Sequence, residues 1–136
     1  MRRFSAMLLP MATDDADNGI FQRTEMLVGR SAMRALASTR VLLVGTGGVG
    51  SWCAEALVRT GIGHVSLVDA DRVCASNVNR QLMATTKTIG EAKVDVLARR
   101  LLEINPEADI EASQARYSAE TADDFEIASK VPNARR

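Results

Sequence analysis

Four apolar residues, Val41-Leu-Leu-Val44, run straight into Gly45-Thr-Gly-Gly-Val-Gly50. Few features constrain a short chain more sharply. An uninterrupted apolar run of this length bounded by glycines is the pattern of a strand buried on both faces of a parallel sheet. The glycines satisfy G-x-G-x-x-G directly after that strand and at the start of a helix, the setting in which an otherwise weak motif carries meaning. Gly45 permits the tight turn, Gly47 lets an anion approach the backbone, and Gly50 lets helix and strand close up. The helix start has unpaired N–H groups and the positive end of the helix dipole, so the turn attracts phosphate. Nucleotide binding is the first inference.

The neighbouring segments fit the same architecture. Residues 1–19 read as a disordered tail, with the ordered domain beginning near Ile20. Arg23 to Ala37 places Met26, Leu27, Met33 and Leu36 at near-helical spacings broken by Gly29, which predicts two linked helical pieces. After the glycine turn, Val49, Trp52, Cys53, Ala56 and Leu57 recur at helical spacing and predict the packed face of a helix ending before Gly61 and Gly63. Val65-Ser-Leu-Val68 reads as a second strand, Glu91 to Asn105 as a helix stopped by Pro106, and Ile110 with Ala112 as a third strand. The fold class is therefore α/β: a Rossmann-like parallel sheet with flanking helices, strand order 3-2-1, the N-terminal half of such a sheet. The central strand would be left as an edge. Either a partner covers it or the chain is part of a longer protein.

Composition excludes several alternatives. Lys plus Arg and Asp plus Glu each number 17, so the formal net charge is +0 and there is no overall basic excess for a dedicated nucleic-acid binder. The 136 residues fit one domain. Two cysteines, Cys53 and Cys74, and one histidine, His64, are too few for a zinc cluster. Cys53 reads as a buried helix residue and Cys74 as a loop residue, and a reducing, cytoplasmic compartment is expected. Met1 to Thr13 carries two arginines and no acid, which leaves a mitochondrial presequence as the alternative. No apolar run approaches the length needed to span a bilayer.

Asp69 ends the second strand 19 residues after Gly50, where an acid can accept hydrogen bonds from ribose hydroxyls. Asp71 reads as a solvated loop acid. At this point NAD, FAD, a methyl donor and ATP all remain open. The next segment separates them, because Ser76-Asn-Val-Asn-Arg-Gln81 and Gly90-Glu-Ala-Lys93 put a polar, cationic cluster where hydride transfer has no use for it. Arg80 offers several donors to a triphosphate and Lys93 a point charge at a helix start. Asn77, Asn79 and Gln81 can orient phosphate, ribose or backbone. Together these residues favour ATP.

With these residues in place the chain resembles the ThiF-type adenylating superfamily, which includes the molybdopterin- and thiamine-pathway activators and the ubiquitin-activating enzymes. The matching stretches are Arg23 to Gly29, Val41 to Gly50, Leu67 to Val73, Ser76 to Gln81, Gly90 to Lys93 and Ile104-Asn-Pro106. Phe21 to Gly29, Gly47 to Trp52, Arg59 to Gly63 and Val73-Cys74 with Asn77-Val-Asn-Arg-Gln81 look most like the tRNA threonylcarbamoyladenosine dehydratases. The resemblance implies that residues 20–125 are the N-terminal half of an ATP-binding domain. It also implies that Gly48 touches the nucleotide, Asp69 holds the ribose, and Asn77, Arg80 and Lys93 hold the phosphates. Arg23 would reach the neighbouring subunit's ATP as a finger, which makes the site depend on a homodimer. Arg23, Arg80 and Lys93 are thus the catalytic candidates. Gly45, Gly47, Gly48, Gly50, Asp69, Ser76, Asn77, Asn79, Arg80 and Lys93 are the nucleotide-binding candidates.

The implied activity is ATP-dependent adenylation of a carboxylate, with dehydration and cyclisation of threonylcarbamoyladenosine in tRNA as the leading reading. Alternatives are activation of a ubiquitin-like or sulfur-carrier protein, or a non-catalytic nucleotide-binding or dimerisation fragment. Family members continue into a further strand whose end bears an aspartate that binds Mg²⁺. This chain departs from the pattern after about Phe125, and residues 126–136 read as a divergent tail without that carboxylate. Weak nucleotide binding and little or no catalysis are therefore expected of the chain by itself.

Overall fold

A computed structural model describes residues 1–4 and 19–125. The elements are β1 (Arg2–Phe4), α1 (Gln22–Ser38), β2 (Arg40–Val44), α2 (Gly50–Thr60), β3 (His64–Val68), a 3₁₀ turn (Ala75–Asn77), α3 (Lys93–Ile104), β4 (Asp109–Ser113) and a second 3₁₀ turn (Ala122–Phe125). They form a four-stranded sheet in the order β1-β4-β3-β2. β2, β3 and β4 run parallel, with Val41 opposite Val65 and Val65 opposite Ile110. That is the expected order of the three parallel strands. Val65, Leu67 and Val68 of β3 are buried, as a central parallel strand requires.

β1 is a correction to the expected tail. At the start of residues 1–19, Arg2 to Phe4 pair antiparallel with Ile110 to Ala112 of β4. Two arginines can occupy this edge because acids wait for them. Arg3 pairs with Glu111 at 3.1 Å and Asp109 at 3.4 Å, and Arg2 reaches Asp95 of α3 at 2.9 Å. The remainder of the expected tail, 5–18, and the expected C-terminal tail, 126–136, lie outside the described residues.

α1 is two helical pieces, as the sequence predicts: Gly29 sits between them at φ 83°, ψ 161°. α3 begins at Lys93 rather than Glu91 because the preceding residues are committed elsewhere. The Glu91 carbonyl accepts a hydrogen bond from Val73 N, and Ala92 bridges to Arg72. The core lies where α2 and α3 meet the sheet, with Ala54, Val58, Leu97, Leu101, Leu67 and Ile110 fully buried.

α2 departs from expectation in the face it buries. Ser51, Ala54, Glu55 and Val58 face inward, whereas Val49 is 84% and Trp52 56% exposed. Cys53, expected to be buried, is exposed, and Cys74 is exposed as expected of a loop residue. Buried Ser51 and Glu55 are each satisfied. The Ser51 hydroxyl donates to the Gly47 carbonyl at 2.7 Å, and Glu55 pairs with Arg59 at 2.7 Å and Arg100 at 3.3 Å. Two side-chainless positions fix this helix and its exit. A Cβ on Gly50 would lie 1.9 Å from the Gly45 carbonyl oxygen, and one on Gly63 1.9 Å from that of Ala37. Among the described residues no helix is long and apolar enough to cross a membrane.

Candidate nucleotide site

The glycine turn leaves the C-terminal end of β2 and enters α2. Gly45 adopts φ 87°, and its N–H donates to the Val68 carbonyl at 2.8 Å, so the turn is tied to β3 from its first residue. The next residue, Thr46, is fully buried. Beyond it, the N–H groups of Gly47, Gly48, Val49 and Gly50 have no acceptor among the described residues. Four consecutive free N–H groups at a helix start form an anion-binding cradle.

Asp69 stands beside this cradle. Its Oδ2 accepts from Thr46 N at 2.7 Å and Thr46 Oγ1 at 2.9 Å, and its Oδ1 accepts from Asp71 N at 2.9 Å. A carboxylate offers about four lone-pair positions, so Oδ1 retains room for one further donor. A ribose hydroxyl is such a donor.

The segment 76–82 is fastened to the same corner. Ser51 Oγ accepts from Leu82 N at 3.2 Å, and the Trp52 indole N–H donates to the Arg80 carbonyl at 3.2 Å. The Arg80 stem lies over Gly48, with Cγ and Cδ 3.5 and 3.6 Å from where a Gly48 Cβ would stand. Arg80 Nη1 donates to the Ser76 carbonyl at 2.8 Å and to Asn79 Oδ1 at 3.0 Å. Three of the five guanidinium N–H groups are left over. Buried Asn77 caps its own turn, its Oδ1 accepting from Cys74 N at 3.0 Å. Gln81, which is 6% exposed, sets its amide against Gly47, and its Oε1 is buried without a hydrogen-bond partner.

Lys93, only 5% exposed, opens α3 on the same side. Its ammonium donates to Asp71 Oδ2 at 2.8 Å, which makes Asp71 more than a solvated loop acid. The Lys93 ammonium holds the Asp71 carboxyl below its ordinary pKa, through its hydrogen bond first and its charge second. Gly45, Gly47, Gly48, Gly50, Asp69, Ser76, Asn77, Asn79, Arg80 and Lys93 are thus gathered at the C-terminal ends of the parallel strands, where open α/β sheets bind ligands.

Arg23 is the exception. It is exposed in the first turn of α1, two residues from Phe21, whose ring packs 3.7 Å from where a Gly61 Cβ would stand. Gly61 caps the far end of α2, and an 11-residue helix is roughly 16 Å long. Arg23 therefore lies at the opposite end of the sheet from the glycine cradle of its own chain.

Residues 21–129 match the model of the ThiF family. The chain belongs to the ThiF family. A tRNA threonylcarbamoyladenosine dehydratase of Bacillus subtilis is 44% identical over 105 residues, which span 77% of this chain and 41% of that protein. The crystal structure of the Escherichia coli tRNA N6-threonylcarbamoyladenosine dehydratase in complex with ATP superposes with a TM-score of 0.78 at 40% identity, covering 82% of this chain and 46% of that one. A sulfur carrier protein adenylyltransferase of Thermus thermophilus is 39% identical over 95 residues, 70% of this chain and 35% of that protein. This ThiF-family chain thus spans less than half the length of each of these relatives.

Two residues of the site are engaged more closely than their local sequence indicates. Asp71 lacked a local signal, because its partner is 22 residues away. Gln81 was visible within the polar cluster, but its burial against Gly47 was not.

Proposed function

We propose that this chain is the nucleotide-binding half of an ATP-dependent enzyme that adenylates a carboxylate, the leading substrate being the threonylcarbamoyl group on adenosine of tRNA. The observation that carries the proposal is the run of free N–H groups from Gly47 to Gly50 with the Arg80 and Lys93 cations at the same end of the sheet. The dehydratase relative at 44% identity and the related structure in complex with ATP support it. The reading as an enzyme's half follows from the fraction of those relatives that the chain spans.

In this reading Asp69 Oδ1 accepts a ribose hydroxyl, Gly48 lies against the nucleotide, and Ser76, Asn77 and Asn79 orient Arg80 and the phosphates. Attack of the substrate carboxylate on the α-phosphorus breaks the bond to the β-phosphate and releases pyrophosphate. Arg80 and Lys93 stabilise the charge that builds on the leaving group more than they stabilise ground-state ATP. Internal attack on the acyl-adenylate then closes a ring, expels AMP and completes the loss of water. No protein nucleophile is needed, so Cys53 and Cys74 stay outside the chemistry.

Arg23, at the far end of its own chain, suits a contribution in trans to a second subunit's phosphates, which is the homodimer reading. Mg²⁺ does not fit the described residues. Mg²⁺ beside phosphates takes one or two carboxylates from the protein, and here Asp69 is engaged by three N–H or O–H donors and Asp71 by a lysine. No step is therefore routed through a metal. The exposed thiols suit a cytoplasmic compartment.

Pyrophosphate exchange into ATP, measured with the C-terminal half of a dehydratase relative supplied because little or no catalysis is expected of the chain by itself, tests the proposal. Exchange that requires tRNA bearing threonylcarbamoyladenosine supports it. Exchange that instead requires a carrier protein ending in Gly-Gly would select the second reading, activation of a sulfur carrier, which the Thermus relative favours. Tight ATP binding without any exchange would leave a non-catalytic module.

A further inference from the structure

Resting on the nucleotide reading above, we infer that Asp71 is a positioning residue that aims the Lys93 ammonium at the triphosphate. Lys93 is bound to Asp71 twice, through its backbone N–H to the Asp71 carbonyl at 3.1 Å and through its ammonium to Oδ2 at 2.8 Å. The side chains differ in setting, since that of Lys93 is 7% exposed and that of Asp71 69%. A nearly buried ammonium without a partner would be costly, so its orientation is set by the carboxylate that it meets. An ammonium carries three donors. Asp71 takes one and leaves two for phosphate oxygens.

Asp71 is itself held from both sides. Its N–H donates to Asp69 Oδ1 at 2.9 Å, while Arg72 bridges to Ala92 and Arg72 Nη1 donates to the Gly90 carbonyl at 2.8 Å. A continuous hydrogen-bonded path therefore runs from Thr46 of the glycine turn through Asp69 and Asp71 to Lys93. Along it, the ribose position and the phosphate-binding cation are fixed relative to each other before any nucleotide arrives. Such preorganisation is where a charged donor gains most of its effect.

The test measures ATP and adenosine dissociation constants, by calorimetry on the full 136-residue chain, for the unaltered protein, Asp71→Asn, Asp71→Glu, Lys93→Met and the double variant Asp71→Asn with Lys93→Met. Asp71→Asn is expected to weaken ATP about tenfold, the effect of misdirecting one charge-assisted donor, while adenosine binding stays unchanged. Asp71→Glu recovers part of the loss, and Asp71→Asn adds nothing once Lys93 is gone. ATP binding by Asp71→Asn as tight as or tighter than in the unaltered chain would overturn the inference, since Asp71 would then be a bystander or a competitor of phosphate. An equal loss of adenosine would also overturn it, as a merely structural effect. If the unaltered chain binds no ATP, the nucleotide reading itself falls and takes this inference with it.

Discussion

Thr46 and Asp69 hold one another across the first turn of the site: a single carboxylate oxygen accepts both the backbone N–H and the hydroxyl of the threonine, at 2.7 and 2.9 Å. The acid expected to bind ribose is therefore also the clasp that holds the glycine turn against β3. Asp69→Asn keeps the shape but presents an amide that cannot accept from both Thr46 and Asp71 N. A loss of about 1–2 kcal/mol in stability is expected, from one weakened and one orphaned donor. Urea unfolding of the variant checks it, and ATP affinity should fall in parallel.

The glycines of the turn separate folding from binding. Gly50→Ala would press a methyl group into the Gly45 carbonyl at 1.9 Å, and backbone must move to relieve it. A loss of about 3 kcal/mol or more is expected, visible as a collapse of soluble yield or of the thermal midpoint. Gly48→Ala meets the Arg80 stem at 3.5 Å and the Arg80 carbonyl at 3.8 Å, both ordinary contact distances, so the fold should survive while phosphate approach is obstructed. Circular dichroism and ATP titration together distinguish the two outcomes.

Lys93 gives Asp71 a pH signature. Its folded carboxyl lies below the ordinary value of 3.8, so the pair contributes stability at pH above that value and loses it as pH falls through the depressed one. The carboxylate side chain is 69% exposed, so solvent screening keeps the contribution small. Urea midpoints measured from neutral pH down to about pH 2 should converge for the unaltered chain and Asp71→Asn at the acid end, and separate with the unaltered chain more stable above about pH 4.

Trp52, the single tryptophan, reports on the cleft directly. Its indole N–H holds the Arg80 carbonyl at 3.2 Å while the residue as a whole is 56% exposed. Phosphate drawing on Arg80 should alter its emission, giving a saturable fluorescence change with ATP that is absent with adenosine. Trp52→Phe removes the tether, and a loss of about 1 kcal/mol in ATP binding is expected.

Much of this arrangement was legible in the residues. Val41 to Gly50 announced strand, turn and helix because apolar run, glycine spacing and helix start are all local signals, but the strand expected to be buried on both faces is only half-buried, since it lies at the sheet edge. Gly29 and Gly61 marked their breaks for the same reason. Periodicity misled at α2, where Val49, Trp52, Cys53 and Ala56 look like a packed face and are exposed, while Ser51 and Glu55 look like surface and are buried. The polar pair is inward because each finds distant partners, Leu82 N for Ser51 and Arg100 for Glu55. Hydropathy does not register such partners. β1 was missed likewise, since two arginines and a phenylalanine read as strand only when Asp95, Asp109 and Glu111 are brought beside them.

Among the described residues β2 is hydrogen-bonded on one side only, to β3, and at its C-terminal end Val44 is 51% exposed. Beside it α2 turns Val49 and Trp52 to solvent. A parallel strand with a vacant flank accepts another extended segment without regard to its side chains, because the ladder is built from main-chain groups alone. Such a seam is a template for pairing, so light scattering across a concentration series belongs beside every binding assay of this chain, to separate occupancy of the cleft from occupancy of the strand.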